Sequence, residues 1–136
     1  MKPIHELVPH QGAMCLLEDV LEWTEDTIVC RAASHRDPAN PLRGRDGLAA
    51  IMGVEYAAQA VAVHGGLINK SQQPRVGYLA GLRDVACFVE RLDAETDDIT
   101  VCAARVAAEG GRLLYDFRIE GGGRELLKGR LSMVLK

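Results

Sequence analysis

Residues Gly47 to Asn69 read GLAAIMGVEYAAQAVAVHGGLIN, a stretch that is small or apolar almost throughout and carries one carboxylate, Glu55. Its length is close to the roughly 20 residues of a membrane span. Glu55, Gln59 and His64 would then all lie at membrane depth, and the flanking sequence supplies no second span. The stretch reads instead as a helix buried in a soluble domain. A helix that is apolar all round must be covered on every side, so the rest of the chain is expected to supply a sheet that wraps it. Glu55 then needs a reason, because burying an ionised group is costly unless it is paired or neutralised.

Upstream, Ile4 to Val8 suits a single helical turn closed by Pro9, and Met14 to Trp23 and Thr27 to Ala33 read as two strands joined by a Glu25-Asp26 turn. Ser34 to Asp46, SHRDPANPLRGRD, carries two prolines, Asn40 and Gly44, and reads as a loop of functional length leading into the helix. Downstream, Gly65-Gly66 weakens the helix near its end and Asn69 to Arg75 is a polar exit. Four strands follow, at Val76 to Phe88, Asp98 to Ala108, Arg112 to Glu120 and Leu127 to Leu135. Thr100, Cys102, Ala104 and Val106 share one face, while Leu113, Tyr115, Phe117 and Ile119 alternate with Asp116, Arg118 and Glu120. Alternation of period two means a sheet with one wet and one buried face. Gly110-Gly111 and Gly121-Gly122-Gly123 are hairpin connections.

The 136 residues suit a single domain, 1-136, in which an antiparallel sheet curls around one central helix, the α+β arrangement that buries both. Apolar residues at 48% exclude a disordered chain, and an aromatic share of 4% argues against stacking platforms for bases or sugars. A formal charge of -3 gives no basic field for nucleic acid, and no membrane partner is expected. Met1 to Glu6 lacks a basic segment leading into an apolar one, so the expected setting is cytoplasmic. Cys15, Cys30, Cys87 and Cys102 are widely spaced, each in a segment read as strand, and are expected to be reduced small core residues. No metal and no cofactor are implied.

The element order is the outline of a hotdog fold, and with the helix in place the residues resemble the FabA/FabZ group of β-hydroxyacyl-acyl carrier protein dehydratases. Leu7-Val8-Pro9-His10 followed by Met14 to Val20 is similar to the opening block of that group. Gly53-Val54-Glu55-Tyr56-Ala57-Ala58-Gln59-Ala60 is similar to its helix motif, in which the Glu is catalytic, and Tyr78 to Val85 to its third-strand segment. His35-Arg36-Asp37-Pro38, Asn40-Pro41-Leu42-Arg43 and His64-Gly65-Gly66-Leu67 most resemble the ApeP-like subgroup found with aryl polyene biosynthesis. The chain departs from the wider group at one place. The dehydratases carry a catalytic His on the loop before the helix, and counting back from Glu55 to that position reaches Pro41.

Dehydration of a 3-hydroxyacyl thioester needs an α-proton removed, a carbonyl oxygen polarised and the departing hydroxyl protonated. The resemblance implies Glu55 as the acid, and an apolar helix suits that role because desolvation favours a carboxyl that holds its proton. A structural carboxylate paired with a buried partner is the other reading. Gln59, one turn on, can orient the acid or satisfy a backbone group. The first helical turn, around Gly53, can aim backbone N–H groups at the thioester oxygen. His35 is the candidate replacement base, with Asp37 to hold its tautomer, or else a surface loop residue. His10 reads as structural, His64 faces away from Glu55, and His5 reads as a surface residue. Arg36, Arg43 and Arg45 make the loop locally basic; Arg43 is the candidate for a phosphopantetheine phosphate or an acidic carrier protein, against a loop neutralised by Asp37 and Asp46.

The resemblance implies an acyl carrier protein or CoA thioester substrate. It also implies a site shared across a two-fold interface, in a homodimer or in a heterodimer whose homologous hotdog partner supplies the missing His. A hotdog acyl-CoA thioesterase and a non-catalytic partner or scaffold subunit are the alternatives.

Overall fold

The computed structural model describes residues 15–69 and 77–135. The expected turn at Ile4 to Val8, the Leu7 to His10 motif, His5 and most of the Asn69 to Arg75 exit lie outside the described residues. Six antiparallel strands, β1 (Asp19–Trp23), β2 (Thr27–Ala32), β3 (Gly77–Cys87), β4 (Ile99–Glu109), β5 (Arg112–Gly121) and β6 (Arg124–Leu135), form one sheet. Among the described residues one α-helix, α1 (Gly53–Ile68), packs on it, extended at its start by a 3-10 turn at Ala50–Met52. This is the expected α+β hotdog arrangement. The first strand is shorter than expected, beginning at Asp19, and the long loop contains a 3-10 turn at Ser34–Arg36.

The strand order is β1-β2-β4-β5-β6-β3. The four strands after the helix therefore do not meander in sequence, as the spacing suggested. Only β4, β5 and β6 do so, while β3 crosses to the far edge and pairs with β6 from Gly77↔Leu135 to Cys87↔Leu127. Both hairpins are set by their glycines: Gly110 and Gly111 have φ of 59° and 82°, and Gly122 and Gly123 have 59° and 78°. Two successive left-handed residues make the turn whose twist matches the flanking strands, and L side chains resist it.

The core lies between sheet and helix. Ile28 and Cys30 of β2, Ile99 and Val101 of β4, Tyr115, Phe117 and Ile119 of β5, and Leu127, Leu131 and Met133 of β6 close on Tyr56, Ala57, Ala60, Val61 and Val63 of α1. The face carrying Thr100, Cys102, Ala104 and Val106 is the open one. Ala50–Ile68 is long and apolar enough to cross a membrane; here one side of it is buried against β2, β4, β5 and β6. At its start, Gly53 meets the sheet closely enough that a Cβ would lie 2.8 Å from Leu127 Cδ2 and 3.0 Å from Ile119 Cδ1.

All four cysteines are free, but only Cys30 is a fully buried core residue. Cys87 is exposed, and Cys15 precedes β1 instead of lying within a strand.

Candidate active site

Glu55 sits in the first turn of α1 and is half-buried. It belongs to the one stripe of the helix that the sheet leaves open, with Ile51, Ala58 and Ala62 at spacings of three and four residues. Among the described residues its carboxylate has neither an ion pair nor a hydrogen bond. The described residues alone leave the acid half-exposed, where its apolar sequence suggested full enclosure.

Gln59 does not face Glu55 with a free amide. It is buried, and its Oε1 accepts the Leu16 N–H at 2.9 Å, tying the segment before β1 to the helix. This bond gives Gln59 a structural role that the sequence left as one of its two readings.

His35 requires a larger correction. Its ring is fully buried in the 3-10 turn Ser34–Arg36, with Nε2 2.9 Å from the Asp97 carbonyl and 3.2 Å from that of Glu95. Carbonyls only accept, so Nε2 carries the proton and Nδ1 is the bare nitrogen. Nδ1 is buried without a partner among the described residues. Protonating it would place a charged donor where nothing accepts it, and burial accordingly lowers the pKa of the ring. Asp37 plays no part in its tautomer; it accepts the Ala39 N–H instead. His35 anchors its loop to the 95–97 segment and offers no accessible nitrogen to a substrate.

The basic loop is neutralised, though not by the acids within it. Arg43 donates to the Asp37 carbonyl at 2.9 Å and pairs with Asp93 at 3.4 Å. Arg36 donates to the Thr96 carbonyl and pairs with Asp98. Arg43 is therefore a staple, not an open phosphate receptor, while Arg45 remains exposed. Gly53 is corrected on similar grounds. Its N–H donates back to Ala50 and Ile51 within its own turn, and the space a side chain would take is filled by Leu127 and Ile119.

Sequence reasoning gave no role to the residues that organise this loop. Tyr56 is fully buried, and its hydroxyl lies 2.7 Å from Ser34 Oγ and 3.0 Å from Asn40 Nδ2. Asn40 Oδ1 accepts the Leu42 N–H at 2.8 Å, an Asx turn that Asn40 between two nearby prolines signals in retrospect. Asp93 accepts the Leu48 N–H at 2.9 Å and fixes the entry to the helix. His64, by contrast, is remote from the acid as expected; its Nε2 donates to the Thr24 carbonyl at 2.8 Å and its Nδ1 accepts from the Tyr115 hydroxyl at 2.6 Å.

Comparison with known proteins adds the chemistry that geometry alone does not name. Residues 2–135 match the family model described as ApeP-like: ApeP dehydratase. Among solved structures, the dehydratase heterocomplex ApeI:P from Xenorhabdus doucetiae superposes with a TM-score of 0.90 at 25% identity, over 100% of this chain and 92% of that one. AziG from S. sahachiroi (TM-score 0.65, 12% identity, 95% and 97% covered) and a mutant thioesterase from Pseudomonas aeruginosa (0.58, 13%, 88% and 80%) share the fold. No curated protein matches the chain.

Proposed function

We propose, from the premise that this chain belongs to the ApeP-like dehydratase family, that it is the Glu-bearing subunit of a hotdog dehydratase acting on 3-hydroxyacyl thioesters of acyl carrier protein. A homologous hotdog subunit supplies the catalytic histidine. The single observation that carries this reading is the state of Glu55, unpaired among the described residues and set on the open stripe of α1, while the two described histidines have no accessible ring nitrogen. A base from the partner takes the α-proton, and Glu55 gives its proton to the departing 3-hydroxyl. The bond from C3 to oxygen breaks, a double bond forms between C2 and C3, and water leaves with the enoyl thioester. Microscopic charge balance is then restored when the base returns its proton to Glu55.

The partner surface we assign is β3. Among the described residues it is the outermost strand beside β6, and Tyr78, Leu79 and Leu82 are 53%, 37% and 43% exposed. Exposed apolar side chains on an outer strand suit a protein interface. Docking of a subunit there is expected to cover the half-buried stripe and remove water from Glu55. The heterocomplex state of the Xenorhabdus doucetiae dehydratase supports this assembly, and four free cysteines fit a reducing, cytoplasmic setting.

The test is an assay of enoyl-thioester formation from a 3-hydroxyacyl-carrier substrate, with the chain alone and in complex with a His-bearing hotdog subunit. Activity is expected only in the complex, with a loss of about 10²-fold or more in Glu55→Gln, the usual contribution of a general acid. Full activity in the Glu55→Gln complex would overturn the assignment. Thiol release without enoyl product would favour a thioesterase.

A further inference from the structure

The hydroxyl network at the first turn of α1 has only one consistent direction. Ser34 Oγ donates to the Leu16 carbonyl at 2.7 Å. A hydroxyl has one proton, so the Tyr56 hydroxyl must donate to Ser34 Oγ, and Asn40 Nδ2 donates to Tyr56 in turn. Asn40 also holds the Ser34 carbonyl with its amide at 2.9 Å. Every hydroxyl and amide proton named here has an acceptor, and the chain ends on backbone. Such fully satisfied buried networks rigidify what they join.

What they join is the residue following Glu55 and the loop 34–42. Tyr56 and Glu55 are successive residues, about 100° apart around the helix axis. The Tyr56 clasp therefore fixes the rotation of the turn that carries the acid. With side chains about 5–6 Å from the axis, a rotation of about 10° moves the carboxyl by about 1 Å. A misplacement of that size can cost about 10²-fold in rate. The position also matters along the sequence, since Asn40 adjoins Pro41, where the resemblance would place a base.

We infer that Tyr56, held by Ser34 and Asn40, is a positioning residue for the Glu55 carboxyl, and that this loop serves the acid by fixing it, not by supplying a base. The inference rests on the reading of Glu55 as the acid. α1 also carries its own control, because His64 near its other end makes a second buried hydrogen bond to a tyrosine hydroxyl, that of Tyr115.

The experiment compares Tyr56→Phe with Tyr115→Phe in the complex with a His-bearing subunit, measuring kcat, KM and thermal unfolding. Each variant removes one buried hydroxyl, so both are expected to lower thermal stability. Tyr56→Phe is expected to reduce kcat about tenfold or more with KM within about twofold, while Tyr115→Phe leaves kcat within about twofold. Ser34→Ala should follow Tyr56→Phe, and Ser34→Thr, which keeps the hydroxyl, should restore most of kcat; this pair serves if Tyr56→Phe fails to fold. Equal kcat losses in the two tyrosine variants, or unchanged kcat in both Tyr56→Phe and Ser34→Ala, would overturn the positioning role. If Glu55→Gln abolishes turnover in the same assay, such a failure belongs to the clasp alone; if Glu55→Gln is fully active, the reading beneath it fails too.

Discussion

Nε2 of His35 lies 2.9 Å from the carbonyl oxygen of Asp97, so the histidine that the sequence offers as a base holds two segments of backbone together. This relationship decides what its removal does. His35→Ala leaves two carbonyls with one donor fewer in a buried site, which costs about 1–3 kcal/mol. The melting temperature is expected to fall by several degrees, while kcat per folded complex stays within about twofold. A kcat loss of 10²-fold without a loss of stability would instead make His35 a catalytic group.

Acid should destabilise the fold through both described histidines. Burial lowers the pKa of His35 and of His64 in the folded state. The stability each contributes is complete above the ordinary histidine pKa of about 6.5 and is lost as pH falls through and below it. Denaturant unfolding between pH 8 and pH 5 should show this decline, and it should be shallower in His35→Gln, where that side chain no longer titrates. Parallel curves for the two proteins would remove His35 from the explanation.

Two helix glycines should respond in opposite directions. A Cβ at Gly53 would press into Leu127 and Ile119, so Gly53→Ala is expected to cost about 1–3 kcal/mol through overpacking. At Gly65 a Cβ meets nothing within 4 Å, and Gly65→Ala is expected to gain up to about 1 kcal/mol from helix propensity. Chemical denaturation of the chain alone reads both; the same sign for both would show that packing at the start of α1 is looser than the distances imply.

Association should depend on β3 and not on the opposite edge. Leu82→Asp on β3 is expected to separate the chain from its hotdog partner in size-exclusion chromatography with light scattering. Leu21→Asp on β1, whose side chain is 54% exposed, should leave the complex intact. Loss of the complex in both variants, or in neither, would place the interface elsewhere.

The elements themselves were legible because each has a local signal. The apolar run gave α1, alternation gave β5 and β6, and paired glycines gave the two hairpins. The place of β3 was not legible, since pairing with β6 is a long-range choice that no local pattern encodes. At the site, Glu55 stood out as the one charge in an apolar run, and the structure sets it on an open stripe. The contacts of His35, Gln59, Arg43 and Gly53 are not legible locally for a common reason. Their partners, the carbonyls of Glu95 and Asp97, the Leu16 amide, the Asp93 carboxylate, and Leu127 with Ile119, are all distant in sequence. Residue type shows what a side chain can do, while its partners decide what it does.

The crossing of β3 to the edge beside β6 also sets an order of assembly. During synthesis β1, β2, α1 and β3 leave the ribosome before β6 exists, so Tyr78, Leu79 and Leu82 have no strand to join until the last part of the sheet is made. Non-local pairing of this kind slows folding and prolongs exposure of sticky segments. A nascent chain would therefore gain from meeting its partner early, and expressing the two subunits together should raise the soluble yield of this one.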